Sequence, residues 1–150
     1  MSKSKNILLL IIFLIYGGSS YGQVFSLAGN GVTIECPGVS SGTSTNTIDG
    51  VVGPKTYIAL NATALKAKPI SDADWDCVCT SLVDDMADLF KDATTFNQDI
   101  SSWDTSSVTT MQRMFKNAES FNQNIGAWTV SNVTNMEGLF EDATAFNQDI

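Results

Sequence analysis

The chain has 150 residues, which predicts a single domain, and its 43% hydrophobic and 9% aromatic content is enough to build a packed core. It carries 16 Asp and Glu against 8 Lys and Arg, contains no His, and has a net charge of -8. These numbers exclude an intrinsically disordered chain, and they argue against nucleic-acid binding, which needs clustered Lys and Arg to contact phosphates. They also argue against attraction to an anionic membrane surface.

The first 22 residues have the three parts of a secretory signal peptide. Two lysines precede the apolar run 7–16 (ILLLIIFLIY), and the small, polar segment 17–22 (GGSSYG) follows it, so cleavage is predicted after Gly22. The alternative is a membrane anchor, but such a run reaches only about 15 Å as a helix, about half of the hydrocarbon core. We therefore expect a secreted or cell-surface protein without a stable membrane span once residues 1–22 are removed.

Three cysteines, Cys36, Cys77 and Cys79, lie beyond this segment. Disulfides persist in exported proteins, and Cys77 and Cys79 are too close in sequence to pair readily with each other. We expect Cys36 to pair with one of them, and Cys79 is favoured over Cys77. The bond would close a loop of about 40 residues, which is worth roughly 3–4 kcal/mol in the chain-entropy view.

Residues 23–77 are predicted to form a small α+β capping region. The segments 31–36 (GVTIEC) and 56–60 (TYIAL) have the composition and alternation of strands. Asn61 is a good N-cap for a short helix, ATALKAK, which Pro69 would end. Such a region would cover the first unit of a repeat array, because terminal units need a polar outer face.

From residue 78 onward the chain repeats every 25 residues, with units starting at Met86, Met111 and Met136. Each unit contains the phrase FNQDI or FNQNI. The positions identical in all three units are, in the first unit, Met86, Phe90, Ala93, Phe96, Asn97, Gln98 and Ile100. The third unit stops at Ile150, in mid-repeat. We therefore expect the sequence to be a piece of a longer protein, or its open end to be covered by another subunit.

The two halves of a unit have different periodicities. Apolar residues from Met86 to Ala93 lie at i, i+3, i+4 and i+7, which predicts a short helix, and apolar and polar residues alternate in the second half as in a strand. Asp85, Thr110 and Asn135 precede the units and are good N-caps. One helix and one strand cannot bury their apolar sides alone, but copies stacked with strands about 4.8 Å apart can. The array is therefore predicted to be a solenoid.

The polar positions of the units also fit stacking. Asn97, Asn122 and Asn147 are predicted to lie above one another in an amide ladder that satisfies backbone groups at a bend. The positions 92/117/142 and 99/124/149 read Asp, Asn, Asp, which avoids placing like charges next to each other.

The motif in Met111–Met136 fits MFxxAxxFNQxIxxWxVSNVTNM. This pattern resembles that of the BspA-like leucine-rich-repeat surface proteins of bacteria, a family much of which is known only as a domain of unknown function. The segments 30–38 (NGVTIECPG) and 77–86 (CVCTSLVDDM) also resemble the lead-in of such proteins. The resemblance implies a leucine-rich-repeat-like solenoid, export to the bacterial surface, and binding of protein or matrix. With the patterns above, the predicted fold class is α/β: short parallel strands and short helices in residues 78–150, after an α+β cap.

Candidate binding residues lie between the core positions of the second half-units. The exposed strand face is predicted to carry Ser102, Asp104, Ser106, Thr129 and Ser131. That face is the usual binding side of such solenoids, although small hydroxyl residues equally suit a plain solvated strand. Trp103 and Trp128 could form an aromatic platform for sugar or protein, but their fixed register with apolar residues favours the core.

No catalytic, metal or cofactor site is predicted. The absence of His removes Ser–His and Cys–His dyads and His metal ligands. Asp72, Asp74 and Asp76 resemble the start of a calcium loop. However, Cys77 replaces the required Gly and Val83 the final acidic ligand, so a solvated acidic turn is expected.

The sequence thus predicts an exported, non-enzymatic surface protein whose repeats bind an extracellular protein, matrix component or glycan, without a cofactor. The alternative is a passive stalk or spacer within a larger surface protein.

Overall fold

A computed structural model describes residues 26–27, 34–35, 45–48 and 55–150, with side chains described from Tyr57 onward. The predicted signal peptide and Cys36 lie outside the described residues, and the strand predicted at 31–36 is described only at 34–35.

Two small sheets, one helix and one 3-10 helix are assigned within those ranges. In chain order the elements are β1 (Ser26–Leu27), β2 (Ile34–Glu35), β3 (Thr45–Ile48), β4 (Lys55–Ala59), α1 (Ala62–Lys66), the 3-10 helix Trp75–Cys77, and β5 (Val78–Cys79). β1 pairs with β2, and β3 with β4, in antiparallel fashion. β4 also pairs in parallel with β5, with Ile58 opposite Val78, so the capping region connects directly to the start of the repeats.

Two local predictions for the cap are confirmed. The predicted strand 56–60 matches β4 within one residue at each end. Asn61 caps α1, since its Oδ1 accepts a hydrogen bond from the N–H of Ala64 at 2.9 Å. Leu65 is the buried residue of this helix and packs in the hydrophobic core.

Lys68 holds the acidic segment after α1. Its ammonium group bonds to the carboxylates of Asp72 and Asp74 and lies 5.2 Å from the centre of the Trp75 ring. Burial lowers the pKa of Lys68, but the bonds to the two carboxylates outweigh burial and hold it above its ordinary value. The hydrogen bond from Lys68 lowers the pKa of Asp74, so this pairing stabilises the fold above the ordinary pKa of an aspartate and is lost as the pH falls through the lowered value.

The helices predicted in the repeats do not form, because this half of each unit consists of reverse turns. The N–H of Leu89 bonds to the C=O of Met86, and the N–H of Ala93 bonds to the C=O of Phe90, which closes two successive turns. The third residue of each turn has a positive φ, and the six such residues are Asp88, Asp92, Arg113, Asn117, Gly138 and Asp142, at 53–63°. A right-handed helix cannot continue through the left-handed region, so the four-residue spacing of Met86 and Phe90 is the spacing of equivalent residues in consecutive turns.

Every second peptide group in these turns links one unit to the next. The N–H groups of Met86, Asp88, Phe90 and Asp92 donate to the C=O groups of residues 110, 112, 114 and 116 at 2.8–3.0 Å. The next unit repeats the same bonds from residues 111, 113, 115 and 117 to residues 135, 137, 139 and 141. All eight N–H groups point toward the following unit, and the peptide groups between them close the turns. The backbone polar groups are thus satisfied without a helix.

Strand-like pairing in the described chain after β5 is limited to two parallel bridges. They join Asp85 to Thr110 and Thr110 to Asn135. These are the predicted N-cap residues, and the side chain of each accepts the backbone N–H two residues later, at 2.8–3.4 Å. The capping signal in the sequence therefore marks the start of a series of turns rather than of a helix.

The identical apolar positions form columns of stacked rings. Phe115 lies between Phe90 and Phe140, with ring centroids 5.5 Å away on both sides. Phe121 lies between Phe96 and Phe146 in the same way, at 6.1 and 5.8 Å. A third column pairs Trp103 with Trp128 at 6.1 Å and an interplanar angle of 3°. Trp103 is 1% exposed, which confirms its prediction as core, whereas Trp128 is half-buried.

The predicted amide ladder is confirmed. The Oδ1 of Asn97 accepts the backbone N–H of Asn122 at 2.9 Å, and the Oδ1 of Asn122 accepts that of Asn147 at the same distance. The side chains of Gln123 and Gln148 donate to the same two oxygens. The recurring FNQ phrase is therefore a corner at which each unit supplies the acceptor for the next.

Replacing Gly138 with alanine is expected to lower the free energy of unfolding by about 1–2 kcal/mol, because an L-residue is strained at its φ of 63°. The added Cβ would also lie 3.1 Å from Oε2 of Glu141 and 3.3 Å from Cγ of Arg113. Urea unfolding followed by circular dichroism measures the loss. Asp142→Gly is the reciprocal control, since Asp142 has a φ of 58°. A similar loss in that variant would contradict the conformational explanation.

Candidate functional site

The predicted binding residues do not form one exposed row. Ser106, Thr129 and Ser131 are exposed, Ser102 is half-buried, and Asp104 is only 8% exposed. The expected exposure of Asp104 is thus corrected. Its Oδ1 accepts the N–H of Ser106 at 3.0 Å, and its C=O accepts the hydroxyl of Thr80 at 2.9 Å, so the turn and the preceding unit hold it inward.

The exposed hydroxyl residues lie on a fixed backbone. The C=O of Thr129 accepts the hydroxyl of Thr105 at 3.0 Å, and the C=O of Ser106 accepts the side-chain amide of Asn132 at 2.6 Å. These two side-chain bonds join neighbouring units and hold the backbone of the exposed residues in place. Ser106, Thr129 and Ser131 therefore stay candidates for surface contacts on a preorganised frame.

A polar groove of about 570 Å³ lies at the corners where the FNQ phrases end. Its lining is Asp99, Ser101, Gln123, Asn124, Gly126, Ala127 and Asp149. Asp99, Asn124 and Asp149 occupy the same position in three successive units. The sequence pattern identified this Asp–Asn–Asp column as an arrangement that avoids like charges, but only the geometry places it at one opening.

The turns fix the side chains of the polar groove and leave part of each available. One carboxylate oxygen of Asp99 accepts the N–H of Ser101 at 2.9 Å, and the Oδ1 of Asn124 accepts the N–H of Gly126 at 2.9 Å. In the part of the chain that the structure describes, the second oxygen of Asp99 and the amide nitrogen of Asn124 make no hydrogen bond. The groove can therefore accept and donate hydrogen bonds, and its net charge is negative.

Positive side chains are used to join units elsewhere in the array. Arg113 bonds to both carboxylate oxygens of Asp88 at 2.9 and 3.0 Å, and Lys116 bonds to Glu141 at 2.8 Å. Each pair links residues 25 apart in sequence, so these charges support the register of the units. The polar groove itself has no Lys or Arg among its lining residues, so no cation there offsets its negative charge.

Cys79 is disulfide-bonded in β5, where it is fully buried. Its favoured partner, Cys36, lies outside the described residues, so that pairing stays a prediction. The thiol of Cys77 donates to Oδ1 of Asp76 at 3.4 Å.

Neither a metal site nor a membrane span is found within the described ranges. No group of three or more His, Cys, Asp or Glu there could hold a metal ion. No helix there has the length and apolar character needed to cross a bilayer.

Comparison with known proteins gives a family and no individual relative. The family model described as "Mycoplasma protein of unknown function, DUF285" matches residues 58–150, from β4 through all the repeat units. No curated protein and no solved structure matches the chain.

Proposed function

Because this chain belongs to the DUF285 family of Mycoplasma proteins of unknown function, we propose its role from the geometry of its repeats. It is an exported, BspA-like surface protein whose units form a leucine-rich-repeat-like solenoid. The solenoid binds an extracellular protein or glycan and carries out no catalysis.

The regular contacts between units support the solenoid. Backbone bonds recur at one fixed offset, and the rings of Phe90, Phe115 and Phe140 keep the same 5.5 Å step twice. Because each unit repeats the contacts of the one before, further units of this pattern can add without a change in geometry. Turns stand in place of the predicted helices, and the fixed offset between units supports the proposal of a solenoid.

The observation that carries the binding function is the polar groove. Asp99, Asn124 and Asp149 present equivalent polar groups at successive steps of the array. Turn hydrogen bonds fix Asp99 and Asn124 before any ligand arrives, which reduces the ordering cost of binding. Carboxylates and an amide in a row suit an extended ligand rich in N–H or O–H donors, such as a basic peptide segment or a glycan.

The bonds between units favour a passive stalk or spacer as the alternative function. Arg113 with Asp88, Lys116 with Glu141 and Gln112 with Glu137 all bridge units 25 residues apart. Their common effect is to stiffen the array along its axis, which is what a spacer requires.

A binding screen separates the two functions. The purified chain is tested by surface plasmon resonance against extracellular matrix proteins and a glycan array, with an Asp99→Asn, Asp149→Asn double variant beside it. Loss of charge-assisted hydrogen bonds, each worth about 1.5–3 kcal/mol, is expected to weaken binding at least tenfold. Asp142→Asn, which lies outside the polar groove, is the matched control. Absence of any saturable ligand would favour the stalk, and unchanged binding by the double variant would contradict a role for the groove.

A further inference from the structure

The segment 67–74, which connects α1 to the 3-10 helix, buries none of its side chains. The buried residues nearest to it in sequence are Leu65 and Trp75, one on each side. Lys68 and Asp72 are half-buried, and the rest of the segment is exposed. Among the described residues, no hydrogen bond joins this segment to the repeats. Segments with so few buried contacts are the ones that open locally while the rest of a fold stays intact.

The closed position of this segment depends on Lys68. Its Nζ bonds to Asp74 and, at 2.8 Å, to Asp72, and it lies 5.2 Å from the centre of the Trp75 ring. The side chain of Lys68 is only 10% exposed. An ammonium group has three N–H donors and no acceptor, and carboxylates and the face of an indole are the groups that attract it. The ring of Trp75 and the two carboxylates thus form an ammonium site, which Lys68 occupies.

Trp75 also carries a buried donor without an acceptor. Its indole N–H has no hydrogen-bond partner in the part of the chain that the structure describes, although the residue is fully buried. The indole N–H groups of Trp103 and Trp128, in contrast, donate to the C=O groups of Trp75 and Ile100. A buried donor without an acceptor is unfavourable, and water satisfies it when water can enter. Opening of the segment above Trp75 would therefore relieve a cost of the closed state.

We propose that residues 67–74 form a lid over Trp75, that Lys68 is the latch of this lid, and that the lid opens while the repeats stay folded. Trp75 stays in place on opening, because its ring packs against Phe90 and Phe96 at 4.9 and 5.7 Å. Release of Lys68 leaves the ammonium site to a primary amine of another molecule, which is the chemistry that it already binds. This goes beyond the proposed function, because the ammonium site shares no residue with the polar groove.

Native-state hydrogen exchange of the full chain, followed by NMR at urea concentrations below the unfolding transition, tests the lid. Exchange of the Trp75 indole N–H is expected to depend little on urea, because a local opening exposes little surface. The backbone N–H of Phe115, which bonds to the C=O of Leu139, is the reference for global unfolding, and its exchange is expected to rise steeply with urea. The same steep dependence at Trp75 would overturn the proposal.

Two variants test Lys68 as the latch. Lys68→Met keeps an apolar side chain but removes the charge, so the loss of two charge-assisted hydrogen bonds is expected to speed exchange at the Trp75 indole at least tenfold. Exchange at Phe115 is expected to stay as in the parent. Lys116→Met is the matched control, because it removes an ion pair within the repeats and is expected to leave Trp75 unchanged. Equal effects of the two variants at Trp75 would contradict the latch.

A small amine tests the ammonium site itself. Lys68→Ala empties the site, and propylammonium supplies the atoms that the substitution removes from the lysine. Saturable binding is expected, with exchange of the Trp75 indole N–H slowed toward the rate of the parent. Propanol, which has the same length without the charge, is the control probe and is expected to have no effect. Exchange that stays fast at the highest propylammonium concentration, or that propanol slows equally, would overturn the ammonium site.

Discussion

Replacing Phe115 with alanine is expected to lower the free energy of unfolding by about 3–5 kcal/mol, the range found for large-to-small changes at buried aromatic positions. Phe115 is fully buried and lies at the centre of two kinds of contact. Its ring stacks on Phe90 and Phe140 along the column, and on Phe121 within the unit at 4.0 Å. Removing it leaves a cavity that units fixed in register by backbone hydrogen bonds can close only in part.

Phe140→Ala is the matched control for this prediction. Phe140 has the same position in the next unit and stacks on Phe115 and Phe146, but it is half-buried. We expect a loss of about 1–3 kcal/mol there, because less apolar surface returns to water. Equilibrium urea unfolding followed by circular dichroism measures both variants. A Phe115→Ala loss no larger than that of Phe140→Ala would contradict the ring columns as the main source of stability.

Replacing Trp103 with alanine is expected to cost about 3–5 kcal/mol as well, for a different reason. Trp103 joins the cap to the repeats. Its indole N–H donates to the buried C=O of Trp75 at 3.0 Å, and its ring lies 6.0 Å from that of Trp75 and 6.1 Å from that of Trp128. The substitution therefore removes both ring packing and a hydrogen bond between two parts of the chain.

Phenylalanine at the same position separates the two contributions. Trp103→Phe keeps an aromatic ring but leaves the C=O of Trp75 with the N–H of Val78 as its one remaining donor, and the loss of the indole hydrogen bond is expected to cost about 0.5–1.5 kcal/mol. Trp128→Phe is the comparison, because its indole donates to the C=O of Ile100 at a longer 3.2 Å and from a half-buried site. Thermal unfolding should rank Trp103→Ala as most harmful, then Trp103→Phe, then Trp128→Phe. A larger loss for Trp128→Phe than for Trp103→Phe would contradict the role of the Trp103 hydrogen bond.

The sequence predicted the contacts between units more accurately than it predicted the backbone conformation within a unit. The identities at the Asn positions led directly to the amide ladder, because identical residues at one period must stack if the units stack. The helix prediction failed because a four-residue spacing fits an α-helix and a pair of consecutive turns equally well. Asp92, Asn117 and Gly138 carried the missing signal, since Asp, Asn and Gly tolerate positive φ. Arg113 concealed this signal, because it also has a positive φ, of 53°, although arginine is not typical of that region.

The candidate binding surface was predictable only in part. Ser106, Thr129 and Ser131 are exposed as expected, since small polar residues between core positions face solvent. Asp104 is buried instead, because its carboxylate turns back and accepts the backbone N–H of Ser106, two residues later. The alternation of apolar and polar residues does not reveal such a turn. The polar groove depends on how three corners are placed in space, which no single unit of the sequence encodes.

The peptide groups that link the units point in both directions along the array. Eight N–H groups donate to the following unit, whereas those of Thr109, Ser120, Thr134 and Ala145 donate to the preceding one. Their dipoles therefore cancel in part, unlike the parallel dipoles of an α-helix. The electrical difference between units comes instead from paired side chains, since Gln112 bonds to Glu137 and Lys116 bonds to Glu141. Two units of nearly identical sequence are thus complementary in charge and would not be interchangeable.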